Sequence, residues 1–501
     1  MGFSANVAGS RRTKGSSGPG ARLAAGVVAL LLSACAAMEP QDSTPFNSAV
    51  PVPPPRTPAA DTKTLAEHRR MIALFDGEYR YPPAEAYLNE ILVKLANADE
   101  RASEPYKVTI LNSPIVNAFA LPPGELYVTR GLLALANDAS EVAAVMAHEI
   151  AHITAKHAMQ REEEEKRAAV ITEAASVIQS KQKSQEVEAM AQRTIASFSR
   201  QQELEADHIG IRVAAKAGFD PYGAVRFLNA LGRTAALRSS LLGHSASAGT
   251  PDLLATHPST PERVAQAINA ARQIGAPGIG TTGRASYLAA IDGMTFGDDP
   301  AEGAIRGRKF LHGRLGFAFL APEGFVLENA SQAVLGIKAD GAEALRLDSV
   351  NVPSATPLAA YMATGWIDGL IDSSIEPAEV NAMPAATANA SAGEWKFRLA
   401  VIRFEPDRVY RLIFATRVLT EEAKQRFQAS IDSFHRVSAD EIKAVRPLRL
   451  AVSVAKAGET AEAFAARMAV PDRALDYFLL INELTRGEPL HRGESYKIVV
   501  E

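Results

Sequence analysis

Apolar positions recur along this chain with two periods, and the change of period divides it. From residue 64 to about 214 helical spacing dominates. Leu65, Met71, Ile72, Leu74 and Phe75 share one face, and after Pro82-Pro83 so do Tyr87, Leu88, Ile91, Leu92 and Leu95. Two short stretches break this pattern. Residues 106–111 alternate like a strand, and residues 125–129 read as a second strand after the Pro122-Pro123-Gly124 turn. A helix then runs from Ser140 through His157, capped by Asp138 or Ser140 and buried through Val142, Val145, Met146 and Ile150. A further helix covers 199–214, with Gly218 as its stop signal and Asp220-Pro221 as a new start. Beyond residue 310 the period falls to two. Residues 316–320, 334–338, 345–350, 396–404 and 409–416 alternate, and a helix over 421–434 closes that stretch, the pattern of an antiparallel α+β module.

The helix over 140–157 carries the chemistry. His148-Glu149-Ile150-Ala151-His152 has the form H-E-x-x-H. Residues four apart lie on one helix face, so both imidazoles reach one metal ion, while Glu149 projects beside them toward a water. A catalytic zinc takes three protein ligands and keeps one position open. Glu203 can complete a His2Glu set, and Asp207, one turn further on, can accept a hydrogen bond from a ligand imidazole. Glu205 falls on the opposite face as a solvated carboxylate. His157, five residues past His152, is expected to be structural.

The order of these motifs resembles the HtpX/BepA-like zinc metallopeptidases, which include the CAAX prenyl proteases. H-E-x-x-H is followed some fifty residues on by Glu203-Leu204-Glu205-Ala206-Asp207, similar to that family's E-x-x-A-D. Upstream, residues 117–133 are similar to its N-A-F-x-x-P-G-G segment, with Pro123 in place of the first glycine. Downstream, Thr256-His257-Pro258 with Arg263 resembles its T-H-P-x-x-x-x-R. The resemblance covers roughly residues 65–275. It implies one Zn2+ per chain, a mainly helical gluzincin-type fold with a small sheet, and Glu149 as general base. It implies a loop that brings His257 onto the site, either as an oxyanion donor or as a gate on the open metal position, and Arg263 as an ion-pair partner or a polarising group. It also implies that the strand before the motif helix is a sheet edge. Gly124, Glu125, Leu126, Tyr127 and Val128 would then pair with an extended peptide.

The chain's ends add an address. Arg11, Arg12, Lys14 and Arg22 precede an apolar run over 23–32 that is too short to span a bilayer. Leu32-Ser33-Ala34-Cys35 resembles the bacterial lipobox, and Cys35, the only cysteine, is expected to carry the lipid. Ala36 rather than Asp after it points to the outer membrane, by analogy with enterobacterial lipoproteins. Loss of those four basic residues with segment 1–34, which has no acid, takes the formal net charge from -4 to -8. No nucleic-acid surface is indicated. Seven prolines within 36–60 make a tether reaching roughly 75 Å. At the other end, Gly316-Phe317-x-Phe319-x-x-Pro322-x-Gly324-Phe325 resembles PsbP-like and Mog1-like domains. Gly458-Glu459-Thr460 and the closing Arg492–Val499 resemble a LysM repeat, a glycan-binding module.

The expected architecture is α+β multidomain: signal peptide 1–34, tether 35–60, metallopeptidase domain 61–275, linker 276–309, PsbP/Mog1-like module 310–440 and LysM-like domain 446–501. Residues 168–198 are expected to sit over the cleft as a lid, and 235–256 to form a mobile loop. The expected function is a lipid-anchored periplasmic zinc endopeptidase that hydrolyses misfolded or stalled envelope proteins, with possible contact to peptidoglycan. The competing readings are a peptidase-latched chaperone or cell-wall-binding protein, and a peptidoglycan hydrolase.

Overall fold

The computed structural model describes residues 59–501 apart from 102–104, 162, 164–197, 243–252, 254–256, 331–332, 339 and 471–472. The signal segment with Cys35, nearly all of the tether, the expected lid but for Phe198, and most of the expected 235–256 loop lie outside the described residues. The first eight residues of that loop, 235–242, belong to a helix.

The first part is helical around one small sheet. Its elements are α1 (Ala59–Leu74), α2 (Pro82–Ala98), β1 (Lys107–Leu111), β2 (Ala118–Leu121), β3 (Glu125–Thr129), α3 (Arg130–Leu135) and α4 (Ala139–Thr154). After the undescribed stretch come α5 (Arg200–Lys216), α6 (Gly223–Leu242), α7 (Pro261–Ile274) and α8 (Arg284–Ile291). Asp138 starts α4 by accepting the Glu141 backbone N–H, one of the donors a helix start leaves orphaned. Arg226 of α6 then binds Asp138 at 2.9 Å and Ser140 at 2.6 Å, fixing α6 to the start of α4. Gly210 lets α5 lie hard against α4, because a Cβ there would stand 2.9 Å from the His148 backbone nitrogen. That close approach carries the carboxylates of α5 to the histidines of α4.

The sheet corrects one expectation. Its order is β1-β3-β2, with β3 parallel to β1 and antiparallel to β2. The 124–129 stretch is therefore the centre of the sheet and not its edge, and both of its backbone sides are already paired. Leu126, Tyr127 and Val128 are all buried, which suits a strand covered on both faces. The edge beside α4 belongs to β2, which the alternation of residues did not single out.

The stretch expected as a linker is ordered. Tyr287, Leu288 and Ile291 of α8 enter the peptidase core, and β4 (Thr295–Phe296) pairs with the C-terminal segment. The middle module follows, with its own cores. It has β5 (Ala304–Arg306), β6 (Lys309–His312), β7 (Phe317–Leu320), β8 (Phe325–Ala330), β9 (Ala333–Lys338), β10 (Glu343–Asn351) and α9 (Leu358–Met362). Then come β11 (Glu376–Val380), β12 (Met383–Ala392), β13 (Trp395–Arg403), β14 (Arg408–Thr416), α10 (Glu421–Asp432) and β15 (His435–Arg436). An antiparallel seven-stranded sheet, β11-β12-β13-β14-β10-β9-β8, packs one face on α10 and on the sheet β15-β7-β6-β5, and the other on α9.

After α11 (Ala439–Ala444), the C-terminal unit has β16 (Leu448–Val454), α12 (Ala461–Ala465), α13 (Ala474–Ile481) and β17 (Ser495–Val500). It is not a separate bead. Phe464, Phe478, Tyr496 and Val499 share one continuous core with Leu132, Leu133 and Val142 of the helical part. Among the described residues no helix is long and apolar enough to cross a membrane.

Candidate metal centre

His148 and His152 stand one turn apart on the buried face of α4, and their Nε2 atoms are 3.0 Å from each other. Glu203, in the first turn of α5, points at both, with carboxylate oxygens 3.6 Å from each Nε2. A fourth group joins them. His257 Nδ1 lies 3.3 Å from His148 Nε2 and 2.8 Å from Glu203 Oε1. All four donor atoms lie within 4.8 Å of one another, and all four residues are buried.

These separations suit a zinc ion. Four ligands at bond lengths near 2.1 Å in a tetrahedron stand ~3.4 Å apart, and the measured distances bracket that value. The donor set, imidazole nitrogens with one carboxylate, is also the one zinc prefers in hydrolytic sites. The four can therefore hold a zinc ion.

The surrounding groups fix these side chains. Asp207 Oδ1 lies 3.0 Å from His148 Nδ1, on the ring edge away from the cluster. Arg263, in the first turn of α7, forks onto Asp207 with two contacts of 2.7 Å and also lies 2.8 Å from Glu203. Burial disfavours the Asp207 carboxylate, but the Arg263 and His148 bonds outweigh it and hold its pKa well below the usual range. Glu203 is likewise lowered against burial, by His257, His148 and Arg263. Burial, assisted by its neighbouring histidines, holds His152 well below the ordinary imidazole value. That keeps a lone pair free for a metal.

Glu149 is 2 % exposed, and its Oε1 has no hydrogen-bond partner among the described residues. Burial raises its pKa, with His257 and His148 opposing. His257 Nε2 lies 3.7 Å from that oxygen. One imidazole thus stands between the metal ligands and the candidate base.

Two contacts were not foreseen. Helix α4 ends at Thr154 rather than running through His157, because Lys156 adopts φ 58°. The turn swings fully buried His157 back, and its Nδ1 reaches 3.0 Å from His152 Nδ1. Phe198, just before α5, stacks on the His152 ring at 3.9 Å. Nothing in the spacing of either residue marks it. Glu205 is half exposed, as its face predicts.

The expected peptide-binding residues are engaged elsewhere. The Gly124 carbonyl accepts from Lys107, Glu125 faces Lys107 and His68, and Tyr127 bonds His68 and stacks on Phe119. With its strand in mid-sheet, this segment has no open backbone side for a substrate. Val116, just ahead of β2, does meet the gate segment, its carbonyl accepting the Leu253 N–H at 2.9 Å. His257 N–H bonds the Leu253 carbonyl in turn, so Leu253 joins that edge to His257.

A helical scaffold that presents H-E-x-x-H from one helix and a carboxylate from the next defines a metal centre of hydrolase type. Residues 82–271 match the profile of Peptidase family M48, and the chain carries a domain of that family there. Among characterised relatives, the beta-barrel assembly-enhancing protease of Escherichia coli is 29% identical over 245 residues, 46% of this chain and 48% of that protein. The mitochondrial metalloendopeptidase OMA1 of Arabidopsis thaliana is 34% identical over 158 residues, 32% of this chain and 30% of that protein. The chain spans about half the length, or less, of the curated relatives it matches. Among solved structures, cyanobacterial PsbP from Synechocystis is similar at 16% identity over 27% of this chain and 98% of that one, with a TM-score of 0.21.

Proposed function

We propose that this protein is a zinc-dependent endopeptidase of the bacterial cell envelope, acting on misfolded or stalled envelope proteins. The observation that carries the reading is the convergence of His148, His152 and Glu203 beside the buried, unpartnered Glu149 oxygen. Zinc in that position would polarise a scissile carbonyl and acidify a water. Glu149 would take the proton from the water and hand it to the leaving amine, a task its raised pKa suits. Asp207 fixes the tautomer of His148, and Arg263 holds Asp207 in place.

His257 is the gate in this reading. Its Nδ1 fills the position a water would need, so His257 must move before a peptide enters. The free edge of β2 would then take the substrate backbone, in place of the 124–128 segment. The lipobox-like Cys35 would anchor the chain in the outer membrane, and the LysM-like unit would add contact with peptidoglycan. The relatives called beta-barrel assembly-enhancing protease support envelope proteins as substrates. The placement of His257 also favours a second reading, a latched chaperone that binds unfolded chains without cutting them.

One experiment separates these. Purified protein should contain about one zinc per chain and hydrolyse unfolded casein, with activity lost on chelation and in Glu149→Gln, which keeps its metal. Casein that stays bound and intact, in both wild type and His257→Ala, would favour the chaperone. Zinc absent from wild type and unchanged in Glu203→Ala would refute the centre itself.

A further inference from the structure

The two histidines of H-E-x-x-H are held by different partners. On the His148 ring, the nitrogen facing away from the cluster meets the Asp207 carboxylate. On the His152 ring the same nitrogen, Nδ1, meets another imidazole instead. His157 Nδ1 lies 3.0 Å from it, with the two rings edge to face and their centroids 5.0 Å apart. His157 is completely buried, and its second nitrogen, Nε2, lies 3.5 Å from Glu205 Oε2. Neither His157 nor Glu205 belongs to the metal group itself.

Elementary valence decides where the protons go. A neutral imidazole carries one N–H and one lone pair. The Nε2 atoms of His148 and His152 face each other at 3.0 Å and Glu203 at 3.6 Å, so theirs are the lone pairs a zinc ion would take. The His152 proton is then on Nδ1. Two N–H groups cannot point at each other across 3.0 Å, so His157 Nδ1 must be the acceptor. The His157 proton is therefore on Nε2, turned toward Glu205. One assignment of protons satisfies all three groups, and it runs from a metal ligand to a half-exposed carboxylate. The backbone holds this geometry. Lys156, at φ 58°, turns the chain at the end of α4, and Gln202 Nε2 donates to the His157 carbonyl at 3.5 Å. Gln202, Glu203 and Glu205 all come from the start of α5, so one helix start places a metal ligand and two contacts of His157.

We infer that His157 is a positioning residue for the metal: it accepts the His152 Nδ1 proton, and Glu205 keeps the His157 ring in the tautomer that can accept. The inference deepens the reading of the zinc centre and rests on it. His152 thereby gains an orienting partner without a net charge, where His148 has Asp207 with Arg263 as its counterion. A carboxylate placed directly on His152 would be a further buried charge to neutralise. Placed one ring further out, Glu205 keeps its charge half exposed to water.

The test uses the full chain and reads zinc affinity by competition with a chelating dye, with circular dichroism as the check on folding. His157→Phe, which keeps a ring but has no acceptor, should bind zinc about 10–100-fold more weakly than wild type. His157→Asn, whose amide oxygen can occupy the place of Nδ1, should recover most of that loss. Glu205→Leu should weaken zinc binding by a smaller factor in the wild-type background. It should have no effect beside His157→Asn, where no ring proton is left to orient. In the zinc-loaded wild type, nitrogen chemical shifts of isotope-labelled histidine should show His157 with a bare Nδ1 and a protonated Nε2, its signals assigned by their loss in His157→Asn. Should His157→Phe not fold, Glu205→Leu and the tautomer decide. Wild-type affinity in His157→Phe, no recovery in His157→Asn, a Glu205→Leu effect absent from wild type or persisting beside His157→Asn, or a proton on His157 Nδ1 each overturns the assignment and leaves the zinc centre standing. Wild type that holds no zinc overturns the centre, and this assignment with it.

Discussion

Replacing Lys497 by methionine removes one ammonium from the joint between the C-terminal unit and the helix before the metal site. Lys497 lies on β17 with no exposed surface. Its Nζ donates to the carbonyls of Ala134, Leu135 and Ala136 at 2.8, 3.3 and 2.5 Å, where α3 ends and leaves its last acceptors unpaired. Arg284 braces the same joint, bonding the Asn137 and Ser495 carbonyls. Methionine matches the length of the stem but leaves the Ala134 and Ala136 carbonyls without that donor, at ~1–3 kcal/mol each, while the Leu135 carbonyl keeps the Asn137 amide. Against that stands relief from desolvation, which pushes the lysine down to about 7. At roughly 1.4 kcal/mol per pKa unit, the fall from 10.5 to about 7 favours the variant by about 5 kcal/mol below pH 7 and by almost nothing near pH 10.5, so the net loss should show at pH 10, at about 1–5 kcal/mol. The two tryptophans, Trp366 and Trp395, both lie in the middle module. Urea unfolding can therefore follow two parts separately. Circular dichroism reports the helices of the peptidase part, and tryptophan fluorescence the module. At pH 10, Lys497→Met should lower the midpoint of the helical transition and leave the fluorescence transition in place, while exposed Lys443→Met should change either by less than ~0.5 kcal/mol. A helical transition that does not move would refute the claim that the C-terminal unit is built into the peptidase core.

Three further outcomes follow from the geometry. Where the latched form outnumbers the open one by about ten to one, His257→Ala should raise casein turnover by about tenfold; an oxyanion donor would instead lose ~10²–10³-fold, so the direction of change decides its role. Asp207→Asn should weaken zinc binding by about 10–100-fold, read by competition with a chelating dye, because it removes the charge that orients His148 and anchors Arg263. Asp76 is raised to about 7, by burial first and then by Glu302, Asp298 and Asp299. The folded form then holds a proton that the unfolded form has lost, so Asp76 costs stability increasingly as pH rises from about 4 to 7. Asp76→Asn should be more stable than wild type by a few kcal/mol at pH 8 and equal to it near pH 3.5; a constant difference across that range would count against the shift.

The candidate metal group was legible in part because helical spacing decides which side chains share a face, and His148 with His152, and Glu203 with Asp207, each lie one turn apart on one helix. Their convergence was not in the spacing; it needed Gly210 to let two helices touch. Where the reading failed, it failed on properties that belong to the sheet or the joint rather than to the segment. An edge strand and a central strand alternate alike, so residues 125–129 gave no sign that β2 would cover their second side. The buried triplet Leu126-Tyr127-Val128 was the one available hint of a strand enclosed on both faces. The glycines between 275 and 283 read as the start of a linker because composition does not say what a glycine is for. A Cβ at Gly280 would come within 2.4 Å of the Phe219 backbone, so that residue permits close packing, not motion. Lys497 makes the same point with a charged residue. On a strand it reads as a solvent-facing position, and only the three carbonyls at the end of α3, more than 360 residues earlier, make its burial tolerable. A unit expected from its motif as a LysM-like domain is held, through that lysine, to the approach of the helix that carries H-E-x-x-H.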